Sequence, residues 1–580
     1  MNPLVDPRRG DIEDDASSTK RRSMLSLAGS LFAEISPAKL VLSWTMLFVL
    51  PGLLLGLTPL IVSAWIVLIK DRIASPLIGI WPILLLAFLA VLGLWGARSV
   101  LRLAESSFWA LNAIVVEPVY AICRETMRHL TGKLFTLRTG QTRSFAFSIF
   151  TSMAAGAIMF CAAAGIAWLA WPASRWLGTV SDLASPRSLV SIALANSVVL
   201  VTTYLAIASL IWAYADAIMP QPRDFNACSG DQNVRRKWRL VHLSDLHAVG
   251  ERYGFRIESG RSGPRGNIRL RQILAKLDVI HSRTPVDVVL ITGDLTDAGR
   301  SAEWSELLDE LQKFPRLLER ILILPGNHDL NIVDRANPAR LDLPTSPNRR
   351  LRRLRFLSAA DFIQGQRVRV IDQAHGHVGA SLSAALEPNR VGIARFSDIA
   401  KPLLARRLDD LWATAFPMIV PPDSSDGLGI VLLNSNADTH FSFTNALGMM
   451  TSEQMRGIEI AAAQYPKACW VLALHHHVVE YPRPAKVLSE RIGTALVNGS
   501  WFVRRLRKVS GRVVLMHGHR HTDWLGECEN IPIVSAPSPV MEATDEEDSF
   551  FYIHTLGVSD DHKICLLSWE RVTVEGEVST

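Results

Sequence analysis

The chain has 580 residues, more than one hydrophobic core usually holds, so its length predicts about two to four domains. Hydrophobic residues make up 49% and charged residues 20%, with a mean hydropathy of +0.19. This composition excludes a disordered chain and favours one that is partly embedded in a membrane. The net charge of +6 is uneven: residues 1–220 hold 17 Lys and Arg against 12 Asp and Glu, whereas residues 221–580 hold 44 against 43. Such a neutral second part disfavours a surface for nucleic acid, and no nucleic-acid partner is expected.

The first 219 residues predict a cytoplasmic tail, 1–40, followed by a transmembrane region, 41–219. A helix that crosses a bilayer needs about 20 apolar residues. Four segments satisfy this requirement: 41–69, 76–96, 145–171 and 188–215. We therefore expect an all-α bundle of four transmembrane helices. The interrupted apolar stretch 108–123 is either a helix that lies on the membrane surface, which we favour, or a fifth span.

The distribution of Lys and Arg predicts the orientation of this region. Loops on the cytoplasmic side of a membrane are enriched in these residues. Residues 97–144 carry seven of them, whereas the 172–187 loop has only Arg175 and Arg187. We expect a multi-pass protein of the cell (inner) membrane, with the lipid bilayer as a partner and everything after Met219 in the cytoplasm.

After a linker, 220–236, the pattern of the domain 237–580 changes to short apolar runs that end in polar clusters. The runs are rich in Val, Ile and Leu, as is typical of strands buried on both faces, and helical patterns separate several of them. This alternation predicts an α/β domain, in which polar clusters gather beyond the carboxyl ends of the strands. The clusters contain Asp245 and His247, then Asp294, then Asn327, His328 and Asp329, then His475, and finally His519 and His521.

The side chains in these clusters are carboxylates, an amide and imidazoles. Oxygen and imidazole ligands suit Mn²⁺, Fe²⁺ or Fe³⁺, or Zn²⁺ in a catalytic site better than a structural zinc site built from thiolates. In an extended segment, Asp-x-His and His-x-His each place two ligands on one face. One carboxylate between two ions could bridge them at about 3.5–4 Å, as in two-metal hydrolysis.

The ordered set Asp245-x-His247, Gly293-Asp294, Gly326-Asn327-His328-Asp329, His475 and Gly518-His519-x-His521 resembles the calcineurin-like metallophosphoesterase superfamily. The resemblance implies a β-sandwich flanked by helices that holds two divalent metal ions. It places one ion on Asp245, His247, Asp294 and His521, and the other on Asp294, Asn327, His475 and His519. Asp294 would then bridge the ions. Within the run His475–His477, His475 is favoured over His476 as the ligand.

The same resemblance implies that a water activated between the metals attacks phosphorus. His328 would stabilise the transition state or protonate the leaving oxygen, and Asp329 would orient His328. The predicted activity is that of a metal-dependent phosphoric ester hydrolase, which cleaves a phosphodiester, a phosphomonoester or a pyrophosphate. The alternative is a membrane sensor whose cytoplasmic domain binds a nucleotide or a phospholipid without turnover.

Other features bear on the substrate, which we expect to be a phosphorylated small molecule or a lipid head group. The stretch from Asn434-Ser435 through Leu447-Gly448 to Gln454 is similar to the cyclic-nucleotide phosphodiesterase-like branch of the superfamily. The long segment 331–427 predicts a cap insertion. Two basic runs, Arg349–Arg355 and Arg504–Lys508, are interpreted either as solvated helix faces or as contacts to anionic lipid. Protein partners are not predicted.

Overall fold

A computed structural model describes residues 50–73, 145–179, 186–219, 222–225, 234–251, 266–334, 347–396, 402–440, 442–481, 496–541 and 547–576, with isolated positions between them. The chain divides into two compact units. One runs from Ile35 to Met219, and the other contains Pro220–Thr580.

The first unit is helical where it is described. It contains α1 (Leu50–Ile73), α2 (Phe145–Ala170) with a 3₁₀ turn at Trp171–Ala173, and α3 (Pro186–Ala217). Within this described part, three helices have windows long and apolar enough to cross a membrane: Leu50–Val67, Ile149–Ala173 and Arg187–Ala217. They indicate a membrane protein. The predicted span 76–96 and the ambiguous stretch 108–123 lie largely outside the described residues.

Helices α1 and α3 approach closely around one buried amide. A β-carbon at Gly56 would lie 1.7 Å from the Ala193 carbonyl oxygen, so only glycine permits this contact. The buried Asn196 amide donates to the carbonyls of Gly56, at 3.1 Å, and Arg175, at 2.7 Å, and it accepts from the Arg175 N–H at 2.9 Å. Asn196 thus joins α3 to α1 and to the turn after α2.

The second unit contains fourteen strands within the described residues. They are β1 (Arg223–Asp224), β2 (Val234–Leu243), β3 (Val288–Ile291), β4 (Ile321–Ile323), β5 (Arg369–Asp372), β6 (His377–Ser381), β7 (Met418–Val420), β8 (Leu428–Leu432), β9 (Cys469–Ala473), β10 (Val513–His517), β11 (Trp524–Cys528), β12 (Ile531–Ser535), β13 (Ser549–Ser559) and β14 (Ile564–Val574).

These strands form two mixed sheets. The five-stranded sheet has the order β14-β13-β2-β3-β4, in which β2, β3 and β4 are parallel. The nine-stranded sheet has the order β1-β11-β12-β10-β9-β8-β7-β5-β6, in which β12, β10, β9 and β8 are parallel. Apolar residues of both sheets share one core, for example Val289 and Val471. The predicted α/β class is confirmed.

Ten helices of this unit are described. They are α4 (Ile268–Arg283), α5 (Ser301–Gln312), α6 (Pro315–Leu318), α7 (Asn327–Leu330), α8 (Pro347–Gln364), α9 (Leu382–Leu386), α10 (Arg390–Arg395), α11 (Pro402–Ala415), α12 (Ser452–Gln464) and α13 (Gly499–Leu506). Helix α8 and strands β5 to β7 fall inside the predicted cap segment 331–427. The strands extend the nine-stranded sheet, and α8 buries Phe356 and Leu357 in the shared core.

The first basic run lies on α8 and is buried, contrary to both interpretations of the sequence. Its arginines pair with Asp342, Asp409 and Asp438 or donate to the carbonyls of Gly299 and Leu330. The charges of the run are thus paired within the domain, and Arg350 and Arg353 keep only 19% and 17% of their side chains exposed. In the second run, by contrast, Arg507 and Lys508 have side chains that are 62% and 69% exposed, so this run remains a surface feature.

Candidate metal centre

The loops that follow six parallel strands converge between the two sheets. From the five-stranded sheet, the loop after β2 joins that after β3, where the His247 N–H donates to the Asp294 carbonyl at 2.9 Å. From the nine-stranded sheet, the Gly518 N–H donates to the His475 carbonyl at 3.1 Å. One contact crosses between the sheets: the His519 N–H donates to Asp245 Oδ2 at 2.9 Å. The predicted edge-of-sheet placement therefore brings the clusters together.

Many of these residues have a left-handed backbone. The φ angles are 55° for Asp245, 45° for His247, 49° for Asp294, 74° for His519 and 50° for His521. Non-glycine residues rarely adopt this region, and clusters of such residues mark functional sites. At Gly293, φ is 92° and a β-carbon would lie 2.6 Å from His475 Nδ1, so the loop before Asp294 requires glycine. The backbone is bent where it presents these side chains.

One group of possible ligands consists of Asp245, His247 and His521, whose nearest ligand atoms all lie within 4.8 Å of one another. His521 Nε2 lies 3.2 Å from Asp245 Oδ1, and His247 Nε2 lies 3.9 Å from the same oxygen. His247 Nε2 is also 3.8 Å from Asp294 Oδ2. These are the contacts expected if Asp294 connects this group to the next.

A second group consists of Asp294, His475 and His519. His475 Nε2 is the centre of this group: it lies 3.3 Å from Asp294 Oδ2, 3.0 Å from Asn327 Oδ1 and 3.0 Å from His519 Nδ1. His475 Nδ1 faces the Thr292 carbonyl oxygen at 2.8 Å, which directs Nε2 toward the group. The next residue, His476, has Nδ1 2.9 Å from Ser435 Oγ, and its ring centroid lies 4.4 Å from that of His519.

Both groups fit divalent ions. Each offers a buried carboxylate and two imidazoles, and Asn327 adds an amide oxygen to the second, a donor set that suits Mn, Fe or Zn. A third group, His247, Asp297 and His328, shares His247 with the first.

The charges in the site favour deprotonated carboxylates. Although burial opposes it, the positive charge of His521 lowers the pKa of Asp245, and that of His475 lowers the pKa of Asp294. Burial lowers the pKa of His247 to about 3, so its imidazole is neutral, as a metal ligand must be. For His475, burial acts in the same direction, but the neighbouring Asp294 carboxylate outweighs it and raises the pKa to about 9.

The sequence analysis missed Asp297, which holds two functional side chains. Its carboxylate lies 3.3 Å from His247 Nδ1, and its carbonyl oxygen lies 2.5 Å from His328 Nδ1. The His328 N–H also donates to Asp294 Oδ1 at 2.8 Å. The available signal was a second carboxylate, three residues after the predicted bridging ligand, in the sequence Asp294-Leu-Thr-Asp297.

The structure places Asp329 differently from the prediction that it orients His328. Its fully buried carboxylate accepts hydrogen bonds from the N–H groups of Leu295 (3.2 Å), Thr296 (2.9 Å) and Gly326 (2.9 Å), and from Thr296 Oγ1 (2.7 Å). Asp329 therefore joins the loop after Asp294 to the start of α7, because the backbone donors of both segments meet there. Burial raises its pKa to about 6.

The stretch from Asn434 to Gln454, which is similar to the cyclic-nucleotide phosphodiesterase-like branch, holds the loop that packs against His475 and His476. The Gln454 side chain accepts from the Asn434 N–H and donates to the Asn434 carbonyl, both at 2.8 Å. A β-carbon at Gly448 would lie 2.6 Å from His476 Cγ, so glycine is needed where this loop passes the histidines. These residues fix the loop after β8, and none of these contacts involves a surface open to a substrate.

Comparison with known proteins agrees with this geometry. Residues 239–523 match the calcineurin-like phosphoesterase family. The C-terminal unit belongs to this family. The match covers the predicted metal-binding clusters from Asp245 to His521, and it supports the predicted enzyme class, a metal-dependent hydrolase of phosphoric esters.

Individual relatives of this phosphoesterase domain are distant. A probable cyclic nucleotide phosphodiesterase of Vesicomyosocius okutanii subsp. Calyptogena okutanii (strain HA) is 32% identical over 92 residues, which are 16% of this chain and 34% of the relative. The chain thus matches about a third of that relative's length. A dimetal phosphatase from Danio rerio is 12% identical, with 59% of this chain and 99% of the other covered and a TM-score of 0.32. A putative 5'-nucleotidase from Staphylococcus aureus, solved in complex with alpha-ketoglutarate, is also 12% identical, with 60% and 56% covered and a TM-score of 0.31.

Proposed function

We propose that this protein is a membrane-anchored dimetal phosphoesterase that hydrolyses a phosphoester. The observation that carries the proposal is the convergence of two groups of possible metal ligands at the carboxyl ends of strands from both sheets. The first group is Asp245, His247 and His521, and the second is Asp294, His475 and His519. Asn327 completes the second group, and Asp294 lies within reach of both.

When bound, a pair of divalent ions supplies Lewis acidity toward phosphoryl oxygens and lowers the pKa of water. The chain provides the rest of the chemistry. Asp294 lies between the two groups of ligands, where it can hold both halves of the site together. His328 is half-buried beside the first group, with its ring 4.6 Å from that of His247. The Asp297 carbonyl holds Nδ1 of His328, so Nε2 is the atom that can give a proton to the leaving oxygen.

We propose a phosphodiester as the preferred substrate. The name of the Vesicomyosocius okutanii relative, a probable cyclic nucleotide phosphodiesterase, supports a soluble diester. The apolar helices favour a second source of the same chemistry, a lipid-linked phosphate or pyrophosphate. Both would use the same ions and the same proton donor, and they differ in what surrounds the phosphoryl group.

We also propose that four helices anchor the chain in the cell (inner) membrane, with the phosphoesterase domain in the cytoplasm. The three apolar helices support anchoring. The excess of Lys and Arg in residues 97–144 supports this orientation. A C-terminal reporter enzyme that is active only in the cytoplasm tests it: we expect activity, and an inactive reporter, together with activity of a second C-terminal reporter that works only in the periplasm, would reverse the topology.

The test of the activity uses the full-length protein in detergent with Mn²⁺ and bis-p-nitrophenyl phosphate as the substrate. We expect hydrolysis by the wild type, loss of hydrolysis in Asp294→Ala and normal turnover in Asp410→Ala, a change at an exposed carboxylate of α11. Comparison of a cyclic nucleotide with a phospholipid diester in vesicles then distinguishes the two sources. Tight nucleotide binding without turnover would contradict the proposal and favour the sensor.

A further inference from the structure

Ser435 lies in the loop after β8, fully buried behind the second group of ligands. Its hydroxyl oxygen accepts hydrogen bonds from the N–H groups of two consecutive residues, His475 at 3.2 Å and His476 at 3.1 Å. The same oxygen lies 2.9 Å from His476 Nδ1. A hydroxyl that accepts twice still has its own hydrogen to donate, and His476 Nδ1 is placed to receive it.

These three contacts set the directions of the two histidines. The His475 ring points to Asp294 and Asn327, whereas the His476 ring packs against the Gly448 backbone, with its centroid 4.4 Å from that of His519. A rotation of the peptide between the two histidines would move His475 Nε2 away from Asp294. The serine hydroxyl opposes that rotation because it holds the N–H on both sides of the His475 side chain.

A second buried serine, Ser538, acts on the other group of ligands. Its hydroxyl donates to the Asp245 carbonyl at 2.7 Å and accepts from the Met541 N–H at 2.8 Å. Asp245 has a left-handed backbone, with φ of 55°, so its carbonyl requires an unusual direction. Ser538 holds that carbonyl and thereby directs the Asp245 side chain toward His247 and His521.

We propose that Ser435 and Ser538 are positioning residues, one for each metal position of the phosphoesterase. Ser435 would act on the position that includes His475 and Asn327, and Ser538 on the position that includes Asp245 and His247. This inference rests on the proposed function, since it assumes two bound ions. It goes further, because it predicts that each of the two buried hydroxyls controls the metal affinity of one position. Neither hydroxyl would contact the metal itself.

The test measures Mn²⁺ binding by the metal-free full-length protein with isothermal titration calorimetry, for Ser435→Ala and Ser538→Ala. Two ligand variants, Asn327→Ala and His247→Ala, provide the binding profile for the loss of each position. Ser559→Ala, a half-buried serine at the end of β13 whose hydroxyl also contacts backbone groups, those of Lys563, is the matched control. Loss of a residue that orients a ligand typically weakens metal binding about 10–100-fold. We expect this loss at one position per variant, with Ser435→Ala similar to Asn327→Ala and Ser538→Ala similar to His247→Ala.

The melting temperature of each metal-free variant separates positioning from a general effect on folding. Selective loss of one Mn²⁺ with an intact fold supports the inference. Unchanged affinities, or equal weakening of both positions together with a lower melting temperature, would overturn it while leaving the proposed function in place. A wild-type protein that binds no Mn²⁺ would overturn the proposed function and this inference with it.

Discussion

Replacement of Asp329 by Asn tests the role that the structure gives to this carboxylate. The change is isosteric, but one oxygen becomes an amide nitrogen that cannot accept. If the nitrogen replaces Oδ2, the N–H groups of Leu295 and Gly326 lose their acceptor. If it replaces Oδ1, the Thr296 N–H loses its acceptor, although the Thr296 hydroxyl can rotate and accept instead. The amide should therefore take the second arrangement.

At least one buried N–H then lacks a partner, which costs about 1–3 kcal/mol. For a domain larger than about 150 residues, roughly 2–4 °C of melting temperature is lost per kcal/mol. We therefore expect the melting temperature of metal-free Asp329→Asn to fall by about 2–12 °C. Because Asp329 joins the loops that carry Asp294 and Asn327, Mn²⁺ affinity should fall as well.

The assay combines thermal unfolding in detergent, Mn²⁺ titration and turnover. Thr296→Val is a control that removes the hydroxyl, which donates to Asp329 and accepts from the Gly299 N–H, and leaves the Asp329 carboxylate in place. The contrast is His328→Ala, which should lower turnover without changing stability. If Asp329→Asn melts like the wild type, binds two Mn²⁺ and loses turnover to the same degree as His328→Ala, then Asp329 acts through His328. That result would refute the proposed role of Asp329, which is to join the loop after Asp294 to the start of α7.

Four further changes test other parts of the structure. His328→Ala should reduce kcat by about 10²–10⁴-fold with two Mn²⁺ still bound, and loss of metal in a titration would make it a ligand instead. Arg352→Met should destabilise the domain by about 3–5 kcal/mol in thermal unfolding, because the buried Asp342 loses its partner, whereas the exposed Arg505→Met should change stability by less than about 0.5 kcal/mol. Burial raises the pKa of Glu303 to about 8, above its ordinary 4.5, so the folded state binds this proton more tightly than the unfolded state. Stability should therefore fall as pH rises from about 5 to 8, and Glu303→Gln should flatten that slope in melting curves. Asn196→Leu should cost about 0.6–2 kcal/mol of stability in detergent, and an unchanged melting temperature would show that the amide does not hold α1 and α3 together.

The sequence was sufficient to predict which side chains come together at the edges of the sheets, because each follows a short apolar strand. The periodicity of the strands and the order of the motifs are local properties, and both are visible without coordinates. The preference for His475 over His476 came from the family resemblance, and the structure adds its physical basis: His475 contacts Asp294 and Asn327, whereas His476 contacts Ser435. The roles of Asp297 and Asp329 were also hidden, since each depends on a contact between residues 31 or 33 positions apart: the Asp297 carbonyl with the His328 ring, and the Asp329 carboxylate with the Thr296 N–H.

The basic run on α8 shows the limit of reasoning from charge. A row of arginines suits either a solvated helix face or a lipid contact, but Arg349 pairs with Asp438 and Arg350 with Asp409, both distant in the sequence, and Arg352 pairs with Asp342. The same applies to β5, β6 and β7, which extend the sheet from within a segment expected to form a separate cap. Pairing between distant strands is set by tertiary packing, which a single sequence does not display.

The left-handed backbone at five of the predicted ligands has a consequence for engineering. A non-glycine residue in this region costs about 1–2 kcal/mol, so a glycine at Asp245, His247 or Asp294 would relieve strain that the folded chain now carries. Selection for thermal stability alone, in the absence of metal, should therefore favour variants that have lost these side chains. The backbone at the predicted ligands therefore lowers the stability of the folded chain, and a stabilised version must be selected with the metal present.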